Sequence, residues 1–111
     1  MMILLGIEVT IVIDQAYSLK EKRKTIKSIA DRIRKRHQVA ANEIGSQDML
    51  NQSQLGFALV SQDYQTARNR LDQIIEEIFR NYPVEIIKIT WYEGIEEQAD
   101  YYSYDSLGPL F

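Results

Sequence analysis

Ile3-Leu-Leu-Gly-Ile-Glu-Val-Thr-Ile-Val-Ile13 followed by Ser18-Leu-Lys-Glu-Lys-Arg-Lys-Thr-Ile-Lys-Ser-Ile-Ala-Asp-Arg-Ile-Arg-Lys-Arg-His37 is a change of period from two to 3.6 within 35 residues. In the first run Leu5, Ile7, Val9, Ile11 and Ile13 share one face and Glu8 and Thr10 the other, the pattern of a strand with one buried side. Asp14–Tyr17 interrupts it. Ser18 to Glu21 then forms a capping box, in which the Ser18 hydroxyl caps a helix and the Glu21 carboxylate reaches back to the Ser18 amide. Leu19, Ile26, Ile29, Ala30 and Ile33 recur at helical spacing as the buried stripe. Arg34–His37 lies where the helix dipole favours cations.

Outward from this pair the remaining elements follow. Residues 38–44 are short and extended in character, and 45–54 form a polar loop rich in Ser, Asn and Gln. Leu55–Val60 is a β-rich run. Ser61 or Asp63 caps a second helix with Ala67, Leu71, Ile74, Ile75, Ile78 and Phe79 on its inner face. Asn81-Tyr-Pro83 ends it, because Pro83 disfavours helical geometry in the preceding residue. Val84–Tyr92 alternates, Ile87, Ile89 and Trp91 against Ile86, Lys88 and Thr90. The order β-α-β-β-α-β predicts a ferredoxin-like α+β sandwich over residues 1–94: a four-stranded antiparallel sheet with both helices on one face. The open face would present Glu8, Thr10 and Val12, an oligomer or partner surface.

Composition bounds the rest. A chain of 111 residues, 45% hydrophobic and 26% charged, suits one globular domain. It has no cysteine, which excludes disulfides, thiolate metal sites and cysteine nucleophiles and fits a reducing cytosol. The apolar start is interrupted by Glu8 and lacks a basic leader, so neither a signal peptide nor a membrane span is expected; a span needs ~20 apolar residues. Net charge is −3, yet nine of the 13 basic residues fall between Ser18 and His37. That segment holds nine cations and two acids, a net +7, against four cations and fourteen acids, a net −10, elsewhere. Such asymmetry points one helix at something anionic.

Ser18-Leu-Lys-Glu-Lys-Arg23 after the first strand, then Glu43-Ile-Gly45, Gln47-Asp48 and Leu55-Gly56, resemble the YlxP-like family of small bacterial proteins of unknown function. The resemblance covers roughly residues 2–92; Met49 and the tail after Gly94 depart from its pattern. It implies a ferredoxin-like fold and a cytoplasmic bacterial protein whose gene often lies among those for translation and ribosome maturation. It implies no established activity and no catalytic residues.

At 100° per residue, Lys20, Arg23, Lys24, Lys27, Arg34 and Lys35 fall on one flank of the apolar stripe. They could track phosphates, as in RNA or a ribonucleoprotein, or could be a solvated helix face. Lys22 instead points near the stripe, where a lysine has a partner or lays its stem along apolar surface. The fold puts Lys20, Lys22 and Arg23 near Gln47 and Asp48 in the central hairpin. Those residues could bind a small anion at the helix start, or Asp48 could pair with Lys22 or Arg23 and pin the hairpin.

Leu55–Val60 superficially resembles the RNA-binding octamer of the RNA-recognition motif, but Leu55, Leu59 and Gln62 stand where a basic residue and two aromatics are needed, so it reads as a core strand. His37 has no serine or carboxylate at motif spacing and reads as a helix C-terminal cation. No phosphate loop, metal cluster or nucleophile motif stands out, and no enzyme, cofactor or metal is expected. In residues 95–111, Tyr101, Tyr102, Tyr104, Leu107, Leu110 and Phe111 are too apolar a set for a disordered acidic end. They are expected to pack on the domain or on a second copy, making a homodimer the rival reading to RNA binding.

Overall fold

In a computed structural model, which describes residues 1–13 and 18–95, the chain forms β1 (Ile3–Ile13), α1 (Leu19–His37), β2 (Ala40–Gly45), β3 (Gln52–Ser61), α2 (Tyr64–Asn81) and β4 (Val84–Ile95). The four strands make one antiparallel sheet in the order β2-β3-β1-β4. Both helices pack on the same side, so the architecture is the ferredoxin-like α+β sandwich that the element order implies. The aromatic tail residues Tyr101, Tyr102, Tyr104, Leu110 and Phe111 lie outside the described residues.

β1 is the centre of the fold. Its odd residues Ile3 to Ile13 are all buried, facing Ile26, Ile29, Ala30 and Ile33 of α1 and Ala67, Leu71, Ile74 and Ile78 of α2 across one continuous core. Leu55, Phe57 and Leu59 of β3 lie opposite Val9, Ile7 and Leu5 and point the same way. Phe57 is therefore core and cannot serve as a base-stacking platform.

Both helix starts are capped as side-chain chemistry requires. The Ser18 hydroxyl accepts from the Glu21 amide at 3.1 Å. Asp63, rather than Ser61, caps α2: its carboxylate accepts from the Thr66 amide at 2.9 Å and the Thr66 hydroxyl at 2.7 Å. The Ser61 hydroxyl instead accepts from the Asp63 amide at 3.1 Å, fixing the turn into the helix.

Two readings of the apolar pattern change. Phe79 is 68% exposed, so the inner stripe of α2 ends with Ile78. In β4, Thr10 pairs with Lys88 and Ile11 with Ile86, leaving Ile87 as the extra residue of a β-bulge. The bulge puts Val84 and Ile86 on the core face together with Ile89 and Trp91, and turns Ile87 out at 52% exposure. Trp91 is roofed by the Arg68 guanidinium, 3.7 Å above the ring. β3 also starts earlier than the apolar pattern, at Gln52, which shortens the polar loop to residues 46–51.

The bulge makes a sharp prediction. Ile86→Ala should cost about 2 kcal/mol, whereas Ile87→Ala should stay within about 0.5 kcal/mol in urea unfolding. Equal losses at the two positions would mean a register without the bulge.

The Asp63 cap gives a second. The Thr66 hydroxyl, and then the Thr66 amide, hold its carboxyl below the ordinary value of 3.8. A lowered native pKa contributes stability that is complete above the unfolded value and disappears as pH falls through the native one. Urea midpoints measured from pH 5 to pH 2.5 should therefore fall less steeply in Asp63→Asn, which caps without titrating, than in the parent.

Candidate functional site

The basic segment becomes one helix with two different populations of cations. Lys20, Arg23, Lys24, Lys27 and Lys35 are exposed, and none makes an ion pair among the described residues. Arg23 and Lys27, with Arg34, line a groove of about 170 Å³ between α1 and β2 whose other walls include Asp31, Asn42 and Glu43. Lys20, Lys24 and Lys35 are exposed on the same helix and do not line this groove.

Arg34 and Lys22 belong to the second population. The Arg34 guanidinium donates to Asp31 Oδ1 at 2.7 Å and to the main-chain oxygen of Ala41, fastening the last turns of α1 to β2. Arg36 is likewise engaged, 3.2 Å from Glu77 of α2, and the His37 ring lies 3.6 Å from the same carboxylate. Arg70 of α2 donates to the His37 carbonyl. His37 is therefore part of the seam between the two helix ends.

Lys22 is completely buried. Its ammonium donates to the main-chain oxygen of Ser46, lies 3.4 Å from that of Gln47, and sits 3.6 Å from Glu43 Oε2. Two carbonyl acceptors and a carboxylate counter-charge thus lie around the ammonium, the condition for burying a charge. Ser46 itself has φ 57, which turns the chain sharply out of β2 and aims its carbonyl at the helix. Glu43 is further satisfied by the Ser53 hydroxyl at 2.6 Å, and Ser53 is fully buried.

The expected pairing of Lys22 or Arg23 with Asp48 is not made. Asp48 is exposed and has no ion pair among the described residues, because Glu43, on the inward side of β2, already faces the ammonium. Gln47 contributes its backbone, not its side chain. Sequence reasoning missed Glu43 as the partner. The signal was there: counted in steps of two from buried Ala41, Glu43 falls on the core side of its strand, where an acid needs a cation.

The open side of the sheet carries a second feature. Gly6, Gly56, Ala58 and Ala40 floor a shallow trough of about 540 Å³, with Leu4, Ile44 and Tyr92 at its margins. The Tyr92 hydroxyl donates to Glu8 Oε2 at 2.9 Å, and this bond to a carboxylate raises the phenol above its ordinary value of 10.0. Thr10, placed on this face by its register, is 5% exposed, so the open face is centred on the Gly6 level of the sheet. Among the described residues no three His, Asp or Glu side chains gather closely enough to hold a metal ion, and no helix is long and apolar enough to cross a membrane.

Residues 5–91, from the first strand to Trp91, match the model of a family described as proteins of unknown function, DUF503. The chain belongs to this family. The match spans most of the sandwich, including the Lys22 lock and the basic flank, and stops short of the trough residues Leu4, Tyr92 and Gly94. No curated protein matches the chain.

The lock predicts a stability cost that a surface lysine would not show. Lys22→Met preserves the stem's packing but leaves two carbonyls and a carboxylate without their cation, and should lower unfolding free energy by about 3 kcal/mol. Adding Glu43→Gln should cost less in the Lys22→Met background than in the parent, a coupling read from a double-mutant cycle.

Proposed function

We propose that this protein is a non-enzymatic cytoplasmic factor that contacts RNA or a ribonucleoprotein through the outer flank of α1. One observation carries the reading: Lys20, Arg23, Lys24, Lys27 and Lys35 are exposed on one helix face without acidic partners among the described residues, in a protein that is acidic elsewhere. Charges held apart from counter-charges are costly to concentrate unless an anion relieves them. The helix is also held firmly. Lys22 fixes its start and Arg34 its end to the same edge of the sheet, so the five cations keep a constant spacing. The resemblance to the YlxP-like family, with genes among those for ribosome maturation, supports the same partner class.

The contact would be with phosphates rather than bases. Leu55, Phe57 and Leu59 of the octamer-like strand face the core, leaving Gly56, Ala58 and Val60 outward, so this strand offers no aromatic platform. Binding should therefore be shape- and charge-driven and steeply dependent on salt.

Filter binding to structured RNA tests this. Five phosphate contacts should weaken affinity by about 10²–10³-fold between 50 and 200 mM salt. Reversing Lys20, Arg23, Lys24, Lys27 and Lys35 to Glu should abolish both the binding and its salt dependence. Arg34 and Lys22 are left intact because they hold the fold. Affinity unmoved by the five reversals would refute the reading.

A further inference from the structure

The open side of the sheet is nearly neutral. Leu4, Gly6, Glu8, Thr10 and Val12 of β1, with the residues paired to them on β3 and β4, include only Glu8, Glu85 and Lys88 as charged groups, a net of −1. Leu4, Ile44, Val60 and Tyr92 are each between 46% and 60% exposed, and such a grouping of apolar side chains marks an interaction site. Two neighbouring rows cross this face over β3, β1 and β4. One is Val60, Leu4 and Gly94; the next, two residues along each strand, is Ala58, Gly6 and Tyr92, part of the trough lining. Read across, the first row is large, large, small and the second small, small, large.

We propose that this face pairs with the same face of a second copy of the chain, about a two-fold axis that lies between the two rows and at right angles to the strands. Such an axis sets each strand over its own counterpart and each row over the other. Val60 then meets the partner's Ala58, Leu4 the partner's Gly6 and Tyr92 the partner's Gly94, and symmetry repeats all three contacts. Large residues facing small ones let two layers interdigitate, and a self-complementary patch is what a two-fold interface requires. The strands of the two sheets stay aligned, as in face-to-face packing at a separation of ~10 Å.

Charge and area fit the same occupant. A face of net −1 meets its copy with little repulsion, whereas two first helices would bring +7 against +7. Four strands ~4.8 Å apart, over rows ~7 Å apart from the level of Met2 to that of Glu8, give about 500 Å² on each copy and about 1,000 Å² in all. That is the small end of specific interfaces, so the dimer forms reversibly with concentration. Both helices lie on the other side of the sheet, which leaves the cation flank of α1 free and makes the dimer independent of RNA binding.

Sedimentation equilibrium of the full chain over a concentration series tests the association. The apparent mass should rise from 13.0 kDa toward twice that value. Leu4→Glu with Val60→Lys changes two exposed cross-strand neighbours into an ion pair, and should hold the chain at one chain mass with the circular dichroism of the parent. The axis is tested separately, because the chain has no cysteine of its own. Ala58→Cys and Val60→Cys are made in separate chains, and disulfide formation in their mixture is compared with that of each alone. The mixture should cross-link about ten-fold faster, since only the unlike pair is brought face to face. A parent that stays at one chain mass throughout, leaving the face to a different partner, overturns the proposal. So does a Leu4→Glu, Val60→Lys variant that associates like the parent, or a mixture that cross-links no faster than its components.

Discussion

A single ammonium group holds the two ends of this architecture's first half together. Lys22 enters from the first turn of α1, passes beneath the β2–β3 hairpin and is received by two backbone carbonyls and the Glu43 carboxylate. A buried lysine without such acceptors would lose its charge or exclude itself from the core. Satisfying it forces the hairpin to fold over the helix start, with Ser46 in left-handed backbone to present its carbonyl. The position of α1 against the β2 edge, and so the direction in which its other cations point, follows from that arrangement.

The same helix thus separates two uses of positive charge by angle alone. At the inward angle, Lys22 is buried and structural; at the outer angles, Lys20, Lys24 and Lys27 are exposed and make no ion pair among the described residues. Arg34 stands at the boundary, its guanidinium divided between Asp31 and a backbone oxygen of β2. Basic residues that look equivalent in a linear reading are therefore not interchangeable. Treating Lys22 and Arg34 as one binding set with Lys20, Arg23, Lys24, Lys27 and Lys35 would confuse a folding defect with a loss of affinity.

Much of this was legible in the sequence wherever a period was uninterrupted. The alternation of Ile3–Ile13 and the stripe Ile26, Ile29, Ala30 and Ile33 are each generated by one face meeting one core, and both are found as read. Reading failed where one residue breaks the count. At Ile87 a bulge exchanges the faces of half a strand, and no local signal separates Ile86 from Ile87, two identical side chains. Phe79 was assigned inward on its apolarity, yet it lies one position beyond Ile78, where the last turn of α2 has already rotated past the core. The partner of Lys22 was hidden for another reason. Asp48 is nearer the tip of the predicted loop, but the alternation of β2, not proximity in the loop, decides which acid faces inward.

Both irregularities of pairing fall on the outer strands. β2 skips a residue at Ile44 and β4 at Ile87, while β1 and β3 run in unbroken register from Ile3–Ser61 to Val12–Gln52. An uninterrupted, flat outer strand is a template on which another molecule can lengthen the sheet; a bulge twists it away and disrupts the row of groups that would pair. The Ala41 carbonyl on β2 is in addition occupied by Arg34. The sheet is thereby guarded at both margins against ribbon-like growth, which leaves its broad face as the route for contacts that depend on shape.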